Sequence, residues 1–185
     1  MATIGGASLL GGAKPADGAA VVWSGSMAEM DGGGMFERDP RNWGAAGWEA
    51  LDRAGEGWIA LRGAGSLIVR THAAHVVSDG PSAVRFAKTW GERGVRLLYD
   101  TASMMTPAMA ATGMTGDVLE RQVDALRHPE LARAVLAVLI ADVRFEGERG
   151  VPAATGGALD AATLEQAAAT CAAMGVAVAR LDAAG

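Results

Sequence analysis

Gly65-Ser-Leu-Ile-Val-Arg-Thr-His72 is the stretch whose reading decides the fold. Its apolar run, Leu67–Thr71, has the length and branching of a buried strand and stops at a polar residue. The unit recurs downstream: Val95–Tyr99 stops at Asp100, Val135–Ala141 at Asp142, and Val176–Leu181 at Asp182. Helical spacing fills the intervals. Pro81 opens a helix whose apolar face is Val84, Phe86, Ala87 and Trp90. Asp117 starts a second, through Leu119, Gln122, Val123 and Leu126, which His128-Pro129 breaks. Asp160 caps a third, Ala161–Met174, and Gly175 ends it. Strands alternating with such helices are βαβ units, which require a parallel sheet with right-handed crossovers. In these folds the carboxyl ends of the strands form the active face.

Working outward, Thr3–Leu10 and Ala19–Trp23 each read as a short strand, and Asp31-Gly-Gly-Gly34 as a loop. Asn42 is placed to cap a helix through Trp43, Trp48, Leu51 and Ala54 that ends at Gly55 or Gly57. Leu131–Ala141 divides into helical Leu131–Val135 and strand Leu136–Ala141, and Arg144–Thr155 reads as a polar loop. The expected architecture is a single α/β domain over 1–185, with 1–42 as irregular N-terminal strands and loop and 43–185 as parallel βα repeats. A full eightfold barrel takes ~250 residues, so 185 residues allow a partial or complete TIM-like (β/α) barrel or an open doubly wound sheet.

Half of the residues are hydrophobic and 20% charged, which is a globular composition. Nine Met and five Trp offset the small volume contributed by 26 Gly. A net charge of −5 argues against a nucleic-acid surface. The single Cys171 excludes an intramolecular disulfide. No apolar stretch approaches the ~20 residues of a membrane helix, and no signal-peptide pattern stands at the N-terminus, so a cytoplasmic protein without a membrane partner is expected.

Three stretches carry a resemblance to a known family: Leu-Leu-Tyr-Asp100-Thr-Ala-Ser-Met, Leu-Ile-Ala-Asp142-Val-Arg, and Gly157-Ala-Leu-Asp160 with its following helix and Gly175-Val-Ala-Val-Ala-Arg-Leu-Asp182. Together, from about Leu51 to Asp182, the pattern resembles the sugar phosphate isomerase/epimerase family, whose fold is the xylose-isomerase-like TIM barrel. The resemblance implies carbohydrate metabolism and proton transfer next to the carbonyl of a small sugar or sugar acid. It also implies a divalent metal (Mn, Mg or Zn) on carboxylates and a histidine at four strand ends. Here Asp100, His72 and Asp182 are the residues left to hold one, because Arg70 stands at the first ligand position and Leu139 or Ala137 at the histidine position. An arginine puts a fixed positive charge where the cation would sit.

The catalytic candidates are Asp100 or His72 as base, with Arg70 as a clamp on an anionic intermediate. His75 lies within reach of the same loop as His72. Substrate-binding candidates are Arg38 and Trp43 in the loop Phe36–Trp43, and Asp142 with Arg144. Each has an ordinary alternative: Asp100 as cap of the turn through Ser103, Trp43 packed on the core, Asp142 and Arg144 as a solvated pair. Met104, Met105, Met109 and Met114 form a methionine-rich segment that lines a pocket, an interface or a gap in the core. A non-catalytic barrel remnant that binds or assembles is the rival to an enzyme. Its uncovered sheet edges predict a homo-oligomer.

Overall fold

A computed structural model describes residues 3–14 and 18–181. Six parallel strands form one sheet: β1 (Thr3–Ser8), β2 (Ala20–Trp23), β3 (Leu67–Arg70), β4 (Arg96–Asp100), β5 (Val135–Leu139) and β8 (Val178–Ala179). Between β5 and β8 the chain makes a separate antiparallel hairpin, β6 (Asp142–Glu146) and β7 (Arg149–Ala153). The helices are α1 (Met27–Met30), α2 (Ala45–Arg62), α3 (Gly80–Phe86), α4 (Pro107–Ala111), α5 (Thr115–Ala125), α6 (Pro129–Ala134) and α7 (Ala161–Ala173). No helix among the described residues is long and apolar enough to cross a membrane.

Strand order in space follows strand order in sequence. A doubly wound sheet reverses direction at a switch point, and this one does not. With right-handed crossovers, one winding direction puts the helices on one face of the sheet. The alternation of side chains agrees. Val22, Val69, Leu97, Tyr99 and Val138 fall on the face that joins Trp48, Leu51, Phe86, Trp90 and Leu119 in one buried cluster. Trp23, Arg70 and Leu98 are paired in register on the opposite face, one residue out of phase with that cluster. No β1–β8 pairing closes the sheet among the described residues.

The elements differ from the sequence reading in informative places. Asn42 does not cap α2; it lies in the 3-10 turn Pro40–Trp43, and Gly44 is the cap. The Asn42 side chain is instead fully buried, accepting from Met27 N–H at 2.7 Å and donating to Ser26 Oγ and the Ala74 carbonyl. It ties the loop after β2 to the loop after β3. α2 runs past Gly55 and Gly57 because Gly55 is the point where it meets Trp90: a Cβ there would stand 2.9 Å from the indole. In β5, Leu136 is an extra residue between paired neighbours, and this bulge leaves it 51% exposed. Arg144–Thr155, read as a loop, holds all of β7 and the last three residues of β6; Val143 pairs with Pro152 and Arg144 with Val151 in a hairpin whose two-residue Gly147-Glu148 turn has its glycine at φ +60°.

Gly55 and Gly57 give opposite expectations within one helix. Gly57→Ala meets no atom within 4 Å and should raise stability by about 0.5–1 kcal/mol through helix propensity. Gly55→Ala should lower it by roughly 1–3 kcal/mol by overpacking on Trp90. Urea unfolding of the two variants beside the parent checks both signs.

Candidate functional site

The carboxyl ends of β2, β3 and β4 bring Trp23, Arg70 and Asp100 together under the β6–β7 hairpin. Asp100 is completely buried. Its Oδ2 accepts from Arg70 Nε at 2.8 Å and from Ser103 Oγ at 2.6 Å, and its Oδ1 accepts from the Ser103 backbone N–H at 3.0 Å. Arg70 Nη2 adds a second donor to the same oxygen. The carboxylate therefore clamps the arginine and the turn after β4 together. The Arg70 guanidinium also lies over the Trp23 ring, 4.2 Å from its centroid.

Beside this pair sits an aromatic box of Trp23, Phe36, His72 and His75. Ring centroids are 4.6 Å apart for Phe36–His72 and 4.7 Å for the two histidines, with Trp23 edge-on to both. Phe36 stacks on His75 at 5.5 Å. The hydrogen bonds assign the tautomers. His72 Nδ1 accepts from Ala74 N–H at 3.1 Å, so the neutral ring carries its proton on Nε2, and that Nε2 is buried without a partner. His75 Nε2 meets the Met35 carbonyl at 2.9 Å and must donate to it, which leaves Nδ1 as a buried acceptor without a partner.

Both rings are held neutral. Burial first, then the repulsion that would arise if His75 were protonated too, and the positive charges of Arg149, Arg70 and Arg38, push His72 down to about 2. Burial lowers His75 to about 4 against the opposing hydrogen bond to Met35. Three arginines thus create a positive field at His72. A pocket of about 200 Å³ opens here, lined by Arg70, His72, Ser103, Arg149 and the β7 segment through Pro152. Arg149 closes it from the hairpin, its guanidinium 4.8 Å from the Phe36 centroid. Gly150 lets that strand approach, since a Cβ there would lie 2.4 Å from the Ala102 carbonyl oxygen.

The remaining candidates lie elsewhere. Asp142 is buried, and its carboxylate accepts from the backbone N–H groups of Val143, Gly157 and Leu159, which organises the 157–159 loop. Arg144 is on the exposed side of β6 and donates to the Thr155 carbonyl at 2.8 Å, with no ion pair to Asp142. Arg38 and Trp43 line a different, larger pocket of about 560 Å³ at the same end of the sheet, together with Met104 and Met109. Met105 is fully buried in the core, and Met114 is 37% exposed.

Asp182 lies outside the described residues. Among the described residues no group of three His, Cys, Asp or Glu is arranged to hold a metal. The individual atoms are unsuited as well: His72 Nδ1 is taken by Ala74, and Asp100 Oδ2 by Arg70 and Ser103. A cation would also face the guanidinium of Arg70.

Trp23, Phe36 and Arg149 were not singled out by sequence. Trp23 carries a usable signal, a large aromatic ending the strand Ala20–Trp23; Arg149 carries none, because the hairpin that delivers it reads as loop. Comparison with family models, curated proteins and solved structures gives no match to any of the three.

The neutral histidines make stability pH-dependent. Below the unfolded-state value of about 6.5 the unfolded chain takes up protons that the folded one refuses, so stability falls with pH. By pH 5.5 each ring should cost about 1.4 kcal/mol relative to neutral pH. Urea unfolding between pH 7.5 and 5.5 should show this decline, and His75→Phe should reduce its slope by about half.

Proposed function

We propose that the protein binds a small, anionic polyol, a short sugar acid or sugar phosphate, at the strand ends. The observation that carries this reading is the convergence of Arg70, Arg149 and the unpartnered His72 Nε2–H on one pocket. Guanidinium groups hold carboxylates and phosphates through paired, charge-assisted hydrogen bonds. His72 supplies a neutral donor beside them, suited to a hydroxyl or carbonyl oxygen of the same ligand. Trp23 and Phe36 give the pocket an apolar wall of the kind that packs on the C–H face of a polyol. Its size, below the ~300–1,000 Å³ of drug-sized sites, suits a ligand of only a few carbons. The one-directional winding of the six strands supports the finer reading of the fold as a partial TIM-like barrel, whose ligand sites occupy this face.

Binding is favoured over catalysis by the state of the proton-transfer candidates. Asp100 is saturated by Arg70 and Ser103, and His72 and His75 are poor bases in their buried setting. The resemblance to sugar phosphate isomerases and epimerases implies the other reading, in which a base removes a proton next to the ligand's carbonyl while Arg70 and Arg149 stabilise the enediolate. Nothing is routed through a metal in either reading.

Titration calorimetry with glycerate, glycerol phosphate and glycerol tests the proposal. Both anions should bind and neutral glycerol should not. Arg149→Gln should weaken anion binding at least about ten-fold, the loss of one charge-assisted contact. Equal binding of glycerol, or unchanged binding by the variant, would overturn it. Absence of exchange of the glycerate C2 hydrogen with D2O separates binding from the isomerase reading.

A further inference from the structure

The larger pocket at this end of the sheet stands apart from the Arg70–His72–Arg149 cluster and has a different chemistry. Part of its lining comes from the loop after β2, carrying Arg38 and Trp43, and part from α5, carrying Val118, Arg121 and Gln122. Met104 and Met109 supply apolar lining, and Ser78 and Thr106 supply hydroxyls. Trp43 is 50% exposed, an uncommon state for so large an apolar ring. Neither Arg38 nor Arg121 is engaged in a hydrogen bond or ion pair among the described residues, while other arginines of the surface are paired, as Arg93 is with Glu56.

The second observation is independent of the arginines. Gln122 is 6% exposed, lines the pocket, and its Oε1 has no hydrogen-bond partner. A buried amide oxygen without a partner costs roughly 1–3 kcal/mol, so its position calls for a group that satisfies it. Its backbone carbonyl is already engaged by the Tyr99 hydroxyl at 3.1 Å, which fixes this turn of α5 against the core. Asp79 also lines the pocket, but Oδ1 of its carboxylate caps α3 by accepting from Ser82 N–H at 2.8 Å. Two arginines against one capping carboxylate leave the pocket net positive.

We infer that this pocket is a second ligand site, for a flat nitrogen heterocycle that bears an anionic group, with a nucleoside monophosphate as the simplest member of that class. The ring stacks on Trp43, the amide of Gln122 pairs with a donor–acceptor edge of the heterocycle, and Arg38 and Arg121 take the phosphate. An amide offers a donor and an acceptor side by side, which a polyol hydroxyl matches less selectively than a ring edge does. The pocket's volume of about 560 Å³ lies within the usual range for ligands of that size.

Calorimetry with AMP, adenosine and inorganic phosphate, on the parent and on Arg121→Gln, Gln122→Leu and Trp43→Ala, tests the inference. AMP should bind more tightly than either fragment. Arg121→Gln should weaken AMP at least ten-fold while leaving adenosine unchanged, and Gln122→Leu should weaken both. Circular dichroism and the thermal midpoint of each variant establish that it is folded. Inorganic phosphate binding as tightly as AMP would overturn the heterocycle assignment. No AMP binding by the folded parent, or AMP binding that is indifferent to Arg121→Gln, would overturn the site. Arg149→Gln should leave AMP binding intact, which separates this inference from the strand-end polyol site.

Discussion

The ion pair between Arg70 and Asp100 is the contact on which the carboxyl end of this sheet depends. It joins the last residues of β3 and β4 on the face opposite the helices. Through Ser103 it fixes the turn after β4, and through the Arg70–Trp23 contact it reaches the end of β2. Removing one member of such a pair leaves the other charge buried, which costs far more than the pair contributes by itself. The same pair decides the electrostatics of the site. It puts a fixed positive charge at the strand ends, and it engages the carboxylate that the sequence reading placed at the centre of the chemistry.

The hairpin β6–β7 completes what the parallel strands begin. A strand end can position residues around a mouth but cannot cover it. The hairpin brings Arg149 over Phe36, and Gly150 allows its backbone to settle against the 102–105 turn. The result is a half-enclosed, positively charged pocket beside two histidines that burial keeps neutral. Neutral imidazoles near arginines donate and accept hydrogen bonds without adding charge, which suits recognition of an oxyanion better than proton abstraction.

Much of the fold was legible because its signals are local. Apolar runs of strand length, helical spacing, Pro81 at a helix start, His128-Pro129 as the break after α5, and Gly175 with its φ of +73° all act within a few residues. The expected split of Leu131–Ala141 matches α6 and β5 to within a residue or two, and Asp160 caps α7 by accepting from Thr163 N–H. The hairpin was illegible because Pro152 and Gly147 read as loop punctuation, and only pairing across the turn makes strands of its two arms. Asn42 was misread for a similar reason. Its type fits a helix cap, but its partners, Met27 and Ala74, are brought to it by other elements.

By itself the sequence determined that this chain alternates strands and helices, that the strands are parallel, and that polar residues stand at their carboxyl ends. Those properties follow from periodicity and strand length, which each segment carries alone. The tertiary structure decided which polar residues meet and in what state. It buried Asp100 against Arg70, closed Asp142 onto three backbone amides, and separated Arg38 and Trp43 from His72 into another pocket. The reason is that charge state and hydrogen-bond saturation depend on neighbours distant in sequence. A carboxylate at a strand end is a free ligand or a spent one according to what the next strand brings beside it.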